Sequence, residues 1–259
     1  MGSGSSRFFK LPGVPMCGRY VAPEMLELSR EFRAHFNREI AHVLASQPPA
    51  ESRNFNVAPT QGVPVVRVIR NTDGERESVL MRWGLIPYWA NGQAPQTSTI
   101  NATIERIESA PMWRDAWRRS QRCLMPAIGF YEWHVNGDGS KTPFYIKPVD
   151  DSMFYFAAVW DRSISQAGAE TYSCALITMP ANDLMANIHN VKKRMPAAIA
   201  KENLETWLSG TPDEAKRCLK PWASDYAVAW PVSTGVNSPR NNGPELLQPI
   251  DVPPVASST

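Results

Sequence analysis

The stretch from residue 122 to residue 180 most strongly restricts what this chain can fold into. It contains four segments rich in aromatic and β-branched residues, which read RCLMPAIGFYEWHV, PFYIKP, SMFYFAAVWDR and TYSCALITM. Short segments with turn-forming residues, such as NGDGSK, separate them. Short turns join consecutive strands in an antiparallel arrangement. The stretch therefore predicts a mainly antiparallel sheet in which each of the four segments is one strand.

The rest of the chain predicts a hairpin and several helices around this sheet. VPVVRVIR and RESVLMRWG flank an Asp-Gly turn and predict a hairpin over residues 63–84. Apolar residues at helical spacing predict one helix over 23–46, and a basic helix is predicted near 105–120. Shorter helices are predicted at 182–188, 201–208 and 212–220, with a last strand in YAVAWPV. We therefore expect an α+β fold, a single domain with a curved, mainly antiparallel sheet or barrel-like core and flanking helices.

Composition excludes several classes of protein. The 259 residues are 43% apolar and 20% charged, which suits a globular chain, and the formal net charge of +2 excludes a polybasic tail. No apolar stretch approaches the roughly 20 residues that span a bilayer, so no membrane association is expected. The four cysteines form no C-x-x-C pair, which is typical of reduced thiols in a cytoplasmic protein rather than of a zinc site. They are Cys17, Cys123, Cys174 and Cys218.

The two ends of the chain are expected to lie outside the domain. Residues 1–15 begin MGSGSS and lack the apolar core of a signal peptide, so we interpret them as a disordered leader, either a cloning tag or the result of a misassigned start codon. The domain is expected to span 16–250, followed by a flexible tail over 251–259. No pattern signals oligomerisation, and a monomer is expected.

The segment PMCGRYV, residues 15–21, contains the first candidate for chemistry. If translation begins at Met16, removal of that methionine leaves Cys17 with a free α-amine and a thiol. An α-amine has a pKa near about 8, so part of it is neutral at pH 7 and can attack an aldehyde, after which the thiol can close a thiazolidine ring. Arg19 could bind a phosphate or lower the pKa of the thiol. The alternative is that Cys17 is an ordinary buried apolar residue.

Two titratable side chains are candidates for proton transfer. Strand alternation in GFYEWH places Phe130, Glu132 and His134 on one face. If that face points inward, desolvation raises the pKa of Glu132 toward a value useful in acid–base catalysis; otherwise the glutamate is solvated and its aromatic neighbours pack inward. His189 precedes the basic segment VKKR and could act as a general acid or base, or could have a structural role.

The segment RWGLIPYW combines aromatic side chains with a cation. This combination suits single-stranded nucleic acid, because bases stack on the rings and phosphates meet the charge. In the alternative reading, Trp83 and Trp89 belong to the core. Arginines are also frequent over 106–122, where they could track phosphates or form a solvated helix face; they are Arg106, Arg114, Arg118, Arg119 and Arg122.

Taken together, these segments resemble the SOS response-associated peptidase (SRAP) family, also called abasic site processing proteins. The matching stretches occur in order from residue 16 to about 250 and include MCGRYV, FNVAPT, MRWGLIPYW, GFYEW and IHNVKKRMP. The resemblance implies a DNA-repair protein that senses abasic sites in single-stranded DNA, without a metal or cofactor, at the nucleoid of a bacterial or phage-like source. It implies a lyase-like crosslinking activity, in which the N-terminal cysteine joins the ring-opened sugar aldehyde as a thiazolidine. It further implies a cysteine-type autopeptidase activity that removes the residues before that cysteine.

The resemblance also implies roles for individual residues. Cys17 corresponds to the nucleophile, Asn101 holds the cysteine end and the sugar–phosphate, and Glu132 assists ring opening and proton transfer. His189 assists ring opening and Schiff-base formation. The residues expected to contact DNA are Arg19, Asn56, Pro59, Arg82, Trp83, Tyr88, Trp89, Arg106 and Arg194.

Two positions of the chain depart from the family pattern. Thr103 stands where many members have an arginine, which makes Arg106 the candidate for that phosphate contact. Three extra residues separate His189 from the following RMP, which makes Arg194 the candidate for the family arginine near the histidine.

The sequence leaves two other functions open. Class II glutamine amidotransferases also begin Met-Cys-Gly and use the cysteine amine as a base, so an N-terminal-nucleophile amidohydrolase is one alternative. A single-stranded DNA-binding protein that uses the same groove without covalent chemistry is the other. The ordered matches downstream of the cysteine favour the covalent sensor.

Overall fold

The strands of this protein form a closed barrel and a smaller second sheet. A computed structural model describes residues 17–24, 27–28, 31, 35–36, 53–69, 72 and 74–251. The strands in these ranges are β1 (Arg19–Val21), β2 (His35–Phe36), β3 (Gly62–Val68), β4 (Arg76–Trp83), β5 (Asn101–Thr103), β6 (Arg122–Ala127), β7 (Gly129–Val135), β8 (Lys141–Pro148), β9 (Phe154–Ile164), β10 (Glu170–Pro180), β11 (Arg194–Pro196) and β12 (Ala227–Pro231). The α-helices there are α1 (Arg114–Arg118), α2 (Asp183–Ile188), α3 (Leu204–Ser209) and α4 (Pro212–Cys218).

Five of the strands close on themselves as a barrel. β6 pairs with β3 and β9, β3 with β4, and β9 with β10, and all four pairings are antiparallel. The ring closes where β4 and β10 run parallel, with Trp83 opposite Cys174. Apolar side chains such as Leu124 and Ala157 are fully buried in the core that results. The predicted α+β fold with a barrel-like core and flanking helices is confirmed.

The second sheet has four strands in the order β1-β7-β8-β12. Its pairings are antiparallel, and β7 and β8 form the hairpin whose turn is NGDGS. β1 joins the other edge of β7, with Arg19 opposite Tyr131. This sheet matters for function because it brings the beginning of the described chain beside the GFYEWH segment.

The segment 122–135 forms two strands, so its prediction as one strand is wrong. Ile128 interrupts it, after which β6 stays in the barrel and β7 enters the second sheet. At Gly129 the backbone passes so close to β8 that an added Cβ would lie 2.6 Å from the carbonyl oxygen of Ile146 and against the ring of Tyr145. A glycine at this position therefore allows the chain to change sheets.

We expect Gly129→Ala to lower the free energy of unfolding by about 1 to 3 kcal/mol, the usual cost of forcing atoms into a packed region. Gly137→Ala is the matched control, because a Cβ at Gly137 in the β7–β8 turn meets no atom within 4 Å. Urea unfolding of the two variants measures the difference. Equal stabilities would show that the close approach of β7 to β8 does not depend on glycine.

The predicted helices agree with the structure in the second half of the chain but less well in the first half. Of the helix predicted near 105–120, only α1 is present, and turns occupy residues 104–113 in its place. In the helix predicted over 23–46, residues 27–28 and 31 are helical, but His35–Phe36 form β2 and pair with β4. A continuous helix is therefore wrong at residues 35–36, where hydrogen bonding to a neighbouring strand overrides local periodicity.

The other predictions for the termini concern parts of the chain outside the described residues. Those parts are 1–16 and 252–259, which include the expected leader and most of the expected tail. Across the ranges that the structure covers, no helix combines the length and apolar character needed to cross a bilayer.

Candidate functional site

Cys17 and Glu132 form the centre of the site. The register of β1 on β7 brings Cys17, two residues before β1, beside the middle of β7. The backbone nitrogen of Cys17 donates a hydrogen bond of 2.9 Å to Oε2 of Glu132. The thiol donates to the same oxygen, with Sγ at 3.2 Å. One carboxylate oxygen therefore accepts from both of the atoms of Cys17 that could act as nucleophiles.

Glu132 lies inside the protein. It is 1% exposed, so the face of β7 that carries it points inward, and the solvated alternative is excluded. Burial raises the pKa of its carboxyl group, while the charge of His189 and the hydrogen bonds from Cys17 and Trp133 oppose this shift. A carboxyl group in such a place can exchange a proton closer to neutral pH than an exposed glutamate can.

His189 adds a second titratable side chain to the site. It directly follows α2 and is 8% exposed. Its Nε2 lies 4.0 Å from Oε1 of Glu132, and its Nδ1 lies 3.1 Å from the main-chain carbonyl oxygen of Arg194. The structure thus brings together Cys17, Glu132 and His189, although the first and the last of them are 172 residues apart in the sequence.

The surroundings of Cys17 favour the protonated form of its thiol. Burial raises its pKa most, the negative charge and hydrogen bond of Glu132 raise it further, and only the charge of Arg194 opposes the shift. Arg19 instead donates hydrogen bonds to the Asn56 side chain and to the carbonyls of Val236 and Asn237. The expectation that Arg19 lowers the pKa of this thiol is therefore wrong.

The backbone at Cys17 has a left-handed conformation, with φ of 45°. For a residue with a side chain, this conformation costs of the order of 1 kcal/mol. The angle φ is defined by the peptide bond that precedes Cys17. Removal of the preceding residues would therefore release this strain.

Trp83 lies behind the cysteine. It is 1% exposed, stacks edge-on against Tyr20 with ring centroids 5.6 Å apart, and donates from Nε1 to the carbonyl of Ile100 at 3.0 Å. Trp83 and Tyr20 line a small cavity together with Cys17. Trp83 is thus a core residue that forms the wall of the site, as the alternative interpretation of this tryptophan stated.

Asn101 lies close to the same cavity. It begins β5 and lies opposite Leu176 in the parallel pairing with β10. Leu176 lines the cavity with Cys17. Asn101 is therefore the strand neighbour of Leu176, a residue of the cavity wall.

Asn56 and Pro59 lie in the loop that precedes β3. Asn56 is 1% exposed, and its side-chain amide donates to the carbonyls of Val236, Ser238 and Asn241. Pro59 is half-buried. Asn56 and Arg19 together hold the segment 236–241 against the site, a function that the FNVAPT motif did not reveal.

The remaining predicted DNA contacts differ in accessibility. Tyr88 and Trp89 are 46% and 45% exposed, so Trp89 is not a core residue. The guanidinium of Arg119 lies 4.4 Å from the centre of the Tyr88 ring. Arg106 is exposed, whereas Arg82 is half-buried and donates to the carbonyl of Gly84.

Arg194 is engaged in an ion pair that the sequence did not indicate. Its two terminal nitrogens donate to the two carboxylate oxygens of Glu105 at 2.8 and 2.9 Å, and one of them also donates to the carbonyl of Thr178 at 2.8 Å. Sequence reasoning missed Glu105, an exposed residue whose partner lies 89 positions away in the chain. Sequence reasoning also missed Asn237, whose side-chain oxygen accepts a hydrogen bond of 2.9 Å from Nε1 of Trp133.

The fold and the site of this protein together define the class to which it belongs. It is an α+β barrel with an attached four-stranded sheet, in which a buried cysteine contacts a glutamate, a histidine lies beside that glutamate, and a tryptophan lines the same cavity as the cysteine. Within the described ranges, no three His, Cys, Asp or Glu side chains converge as ligands of a metal ion would.

Comparison with known sequences identifies the family. The sequence profile of the SOS response associated peptidase (SRAP) family matches residues 16–239, and the chain belongs to this family. "Abasic site processing protein YoqW" of Bacillus subtilis is 36% identical over 198 residues, which cover 75% of this chain and 85% of YoqW. "Abasic site processing protein HMCES" of Gallus gallus is 30% identical over 228 residues, which cover 77% of this chain and 67% of HMCES.

Comparison with solved structures supports the fold. A protein from Bacteroides thetaiotaomicron, known from its crystal structure, superposes with a TM-score of 0.77 at 24% sequence identity. The superposition covers 90% of this chain and 99% of that protein. The barrel and its attached sheet are therefore the architecture of an existing structural group.

Proposed function

We propose that this protein processes abasic sites in single-stranded DNA by forming a thiazolidine crosslink through Cys17, once that residue carries a free α-amine. The names of the relatives YoqW and HMCES support abasic sites as the substrate. The single observation that carries the chemistry is the position of Glu132, whose Oε2 lies 2.9 Å from the nitrogen and 3.2 Å from the sulfur of Cys17. Both atoms must lose a proton during thiazolidine formation, and one buried carboxylate contacts both.

The reaction consists of two bond-forming steps. After the abasic sugar opens to its aldehyde, the α-amine attacks the aldehyde carbon, and the loss of water leaves an imine. The sulfur then adds to the imine carbon, and the thiol proton ends on the nitrogen. Glu132 is the group that accepts a proton from the amine and carries the thiol proton to the nitrogen, because a positioned acid–base group must lie within hydrogen-bonding distance of the proton it moves.

His189 and Asn101 act on the sugar in this proposal. Opening the cyclic hemiacetal moves a proton from one oxygen to another, and His189 is suited to this transfer because imidazole exchanges protons near neutral pH. Its Nε2 lies 4.0 Å from Oε1 of Glu132, too far for a direct hydrogen bond but close enough for the carboxylate to stabilise a charged imidazolium. Asn101, at the edge of the cavity, provides amide hydrogen-bonding groups for the sugar–phosphate.

The surface that binds the DNA strand contains the exposed members of the predicted groove. Tyr88 and Trp89 offer rings on which bases can stack, and Arg106 offers a charge for a phosphate. Such contacts carry little sequence information. The protein therefore acts on abasic sites in any sequence context. In this proposal it is a monomer, and it acts in the cytoplasm and at the nucleoid.

Exposure of the amine belongs to the same proposal. Residues before Cys17 are removed by the peptidase activity that the family name implies, and the left-handed backbone at Cys17 favours this removal. The cleaved chain then begins with the nitrogen that contacts Glu132.

A crosslinking assay tests the proposal. Protein produced to begin at Cys17 is incubated with a labelled single-stranded oligonucleotide that contains one abasic site, and the products are separated on a denaturing gel. We expect a shifted band that survives heating, and no such band with an intact oligonucleotide. A shift seen only under native conditions would show a non-covalent binder, and glutamine hydrolysis without a shifted band would show an amidohydrolase.

A further inference from the structure

The imidazole of His189 has a defined orientation and a defined tautomer. Its Nδ1 lies 3.1 Å from the carbonyl oxygen of Arg194. A carbonyl oxygen only accepts hydrogen bonds, so Nδ1 must carry the hydrogen. In the neutral ring, Nε2 then has a lone pair, and this is the nitrogen that lies 4.0 Å from Oε1 of Glu132.

The carbonyl that sets this tautomer belongs to a residue held from several sides. Arg194 begins β11 and lies opposite Pro180 of β10. Its guanidinium makes two parallel hydrogen bonds to Glu105 and a third to the carbonyl of Thr178. A bidentate arginine–carboxylate pair restricts both position and orientation. Glu105 itself lies in the turn after β5, which also pairs with β10, so the ion pair joins β11 to the turn that follows β5.

The loop between His189 and Arg194 ends at the residue that forms this ion pair. The backbone nitrogen of Lys193 donates to the carbonyl of His189 at 2.9 Å. Lys193 has a left-handed backbone, with φ of 48°, a conformation that persists only where the surrounding structure enforces it. The carbonyl of Lys193 accepts a hydrogen bond of 3.0 Å from the backbone nitrogen of Ala181, and the side chain of Arg194, the next residue, adds its pairing with Glu105.

We propose that Glu105 and Arg194 are positioning residues of the site. Their ion pair fixes the main chain of Arg194, and its carbonyl holds His189 as the Nδ1–H tautomer with Nε2 free to accept a proton beside Glu132. The catalytic consequence rests on the proposed function, whereas the tautomer does not. Arg194 therefore acts through its backbone and through Glu105, and not as the phosphate contact expected from the family pattern.

The tautomer of His189 decides whether its Nε2 can accept a proton from the sugar hydroxyl. With the lone pair on Nε2, neutral His189 can take the proton of the sugar hydroxyl while the hemiacetal opens, and the imidazolium that forms lies beside the Glu132 carboxylate. The proton then returns to the released ring oxygen, so that none is gained or lost. The opposite tautomer presents N–H at this position and cannot accept the proton.

Nitrogen NMR on the full-length chain tests the tautomer without DNA. The imidazole ¹⁵N shifts of His189 are recorded at mildly alkaline pH and are assigned with His189→Gln. We expect a protonated Nδ1 and an unprotonated Nε2 in the wild type, and shifts averaged between the two tautomers in Glu105→Gln. A wild-type spectrum with protonated Nε2 would overturn the proposal.

A matched pair of variants tests the catalytic consequence in protein that begins at Cys17. Glu105→Gln is compared with Glu108→Gln, which removes the same charge from the neighbouring turn, where Glu108 pairs with Lys216. We expect both variants to bind the oligonucleotide equally, while the crosslinking rate at saturating DNA falls about 10-fold in Glu105→Gln only. This is a small part of the 10²- to 10⁴-fold that a positioned acid–base group contributes.

The outcomes separate this inference from the proposed function. Tighter binding of DNA by Glu105→Gln than by Glu108→Gln, with an unchanged rate, would show that Glu105 blocks a phosphate site on Arg194 and would overturn the positioning role. A wild type that forms no crosslink at all would refute the proposed function, while the NMR experiment would still decide the tautomer.

Discussion

Protein that begins at Cys17 is expected to crosslink abasic single-stranded DNA, whereas a chain that still carries residues 1–16 is expected to form no crosslink. In the full-length chain, the nitrogen of Cys17 belongs to a peptide bond, and its lone pair is delocalised into the carbonyl group. This nitrogen donates a hydrogen bond to Glu132 but cannot attack an aldehyde. The fraction of DNA that migrates as a heat-resistant complex measures the difference, and intact mass of the complex identifies the first residue.

Cys17→Ala, in protein cleaved to begin at this position, separates the amine from the thiol. It retains the nucleophilic nitrogen and should form only an imine, which water reverses and which a borohydride reductant traps. We therefore expect no heat-resistant complex without the reductant, and a complex with it. The mechanism would be refuted by a full-length chain that captures abasic DNA while mass analysis shows residues 1–16 still attached.

Glu132→Gln is expected to slow crosslinking by about 10²-fold or more, the usual contribution of a general acid–base group. An amide has nearly the shape of the carboxylate but cannot accept a proton from the nitrogen or sulfur of Cys17. Because burial raises the pKa of Glu132, the carboxylate that accepts these protons forms only above the ordinary carboxyl pKa of about 4.3. The wild-type rate should therefore rise with pH through this raised pKa.

Single-turnover rates from about pH 4 to about pH 9 test this expectation, since this range brackets the ordinary pKa values of a carboxyl group and an α-amine. The variant should lose the rise that belongs to the carboxyl group and keep the rise that belongs to the amine. Urea unfolding of Glu132→Gln serves as the control for folding. A folded variant with the wild-type rate and pH profile would limit Glu132 to a structural role.

Elements with a strong local pattern were predicted closely from the sequence. The hairpin expected over 63–84 is present as β3 and β4, and the helix expected over 182–188 is present as α2. In both cases, the pattern and the hydrogen-bond partners lie within one short stretch of chain. The short helices near the end of the chain agree for the same reason.

Elements that depend on distant partners were predicted less well. The separation of β6 from β7 at Ile128 requires the close approach of β8 at Gly129, and no local pattern encodes that contact. Similarly, β2 exists only because β4 offers it a parallel neighbour. Trp83 and Trp89 have similar sequence surroundings, yet one is buried and the other is half exposed.

The sequence by itself determined the residue types available for chemistry, the family and the β3–β4 hairpin, since these depend on side-chain identity and short-range periodicity. Only the tertiary structure decided which of those residues meet. The contact of Cys17 with Glu132 spans 115 residues of chain, and the pairing of Arg194 with Glu105 spans 89. Such contacts form when strand register and burial bring remote segments together. The sequence around each of these four residues contains no local pattern that indicates its partner.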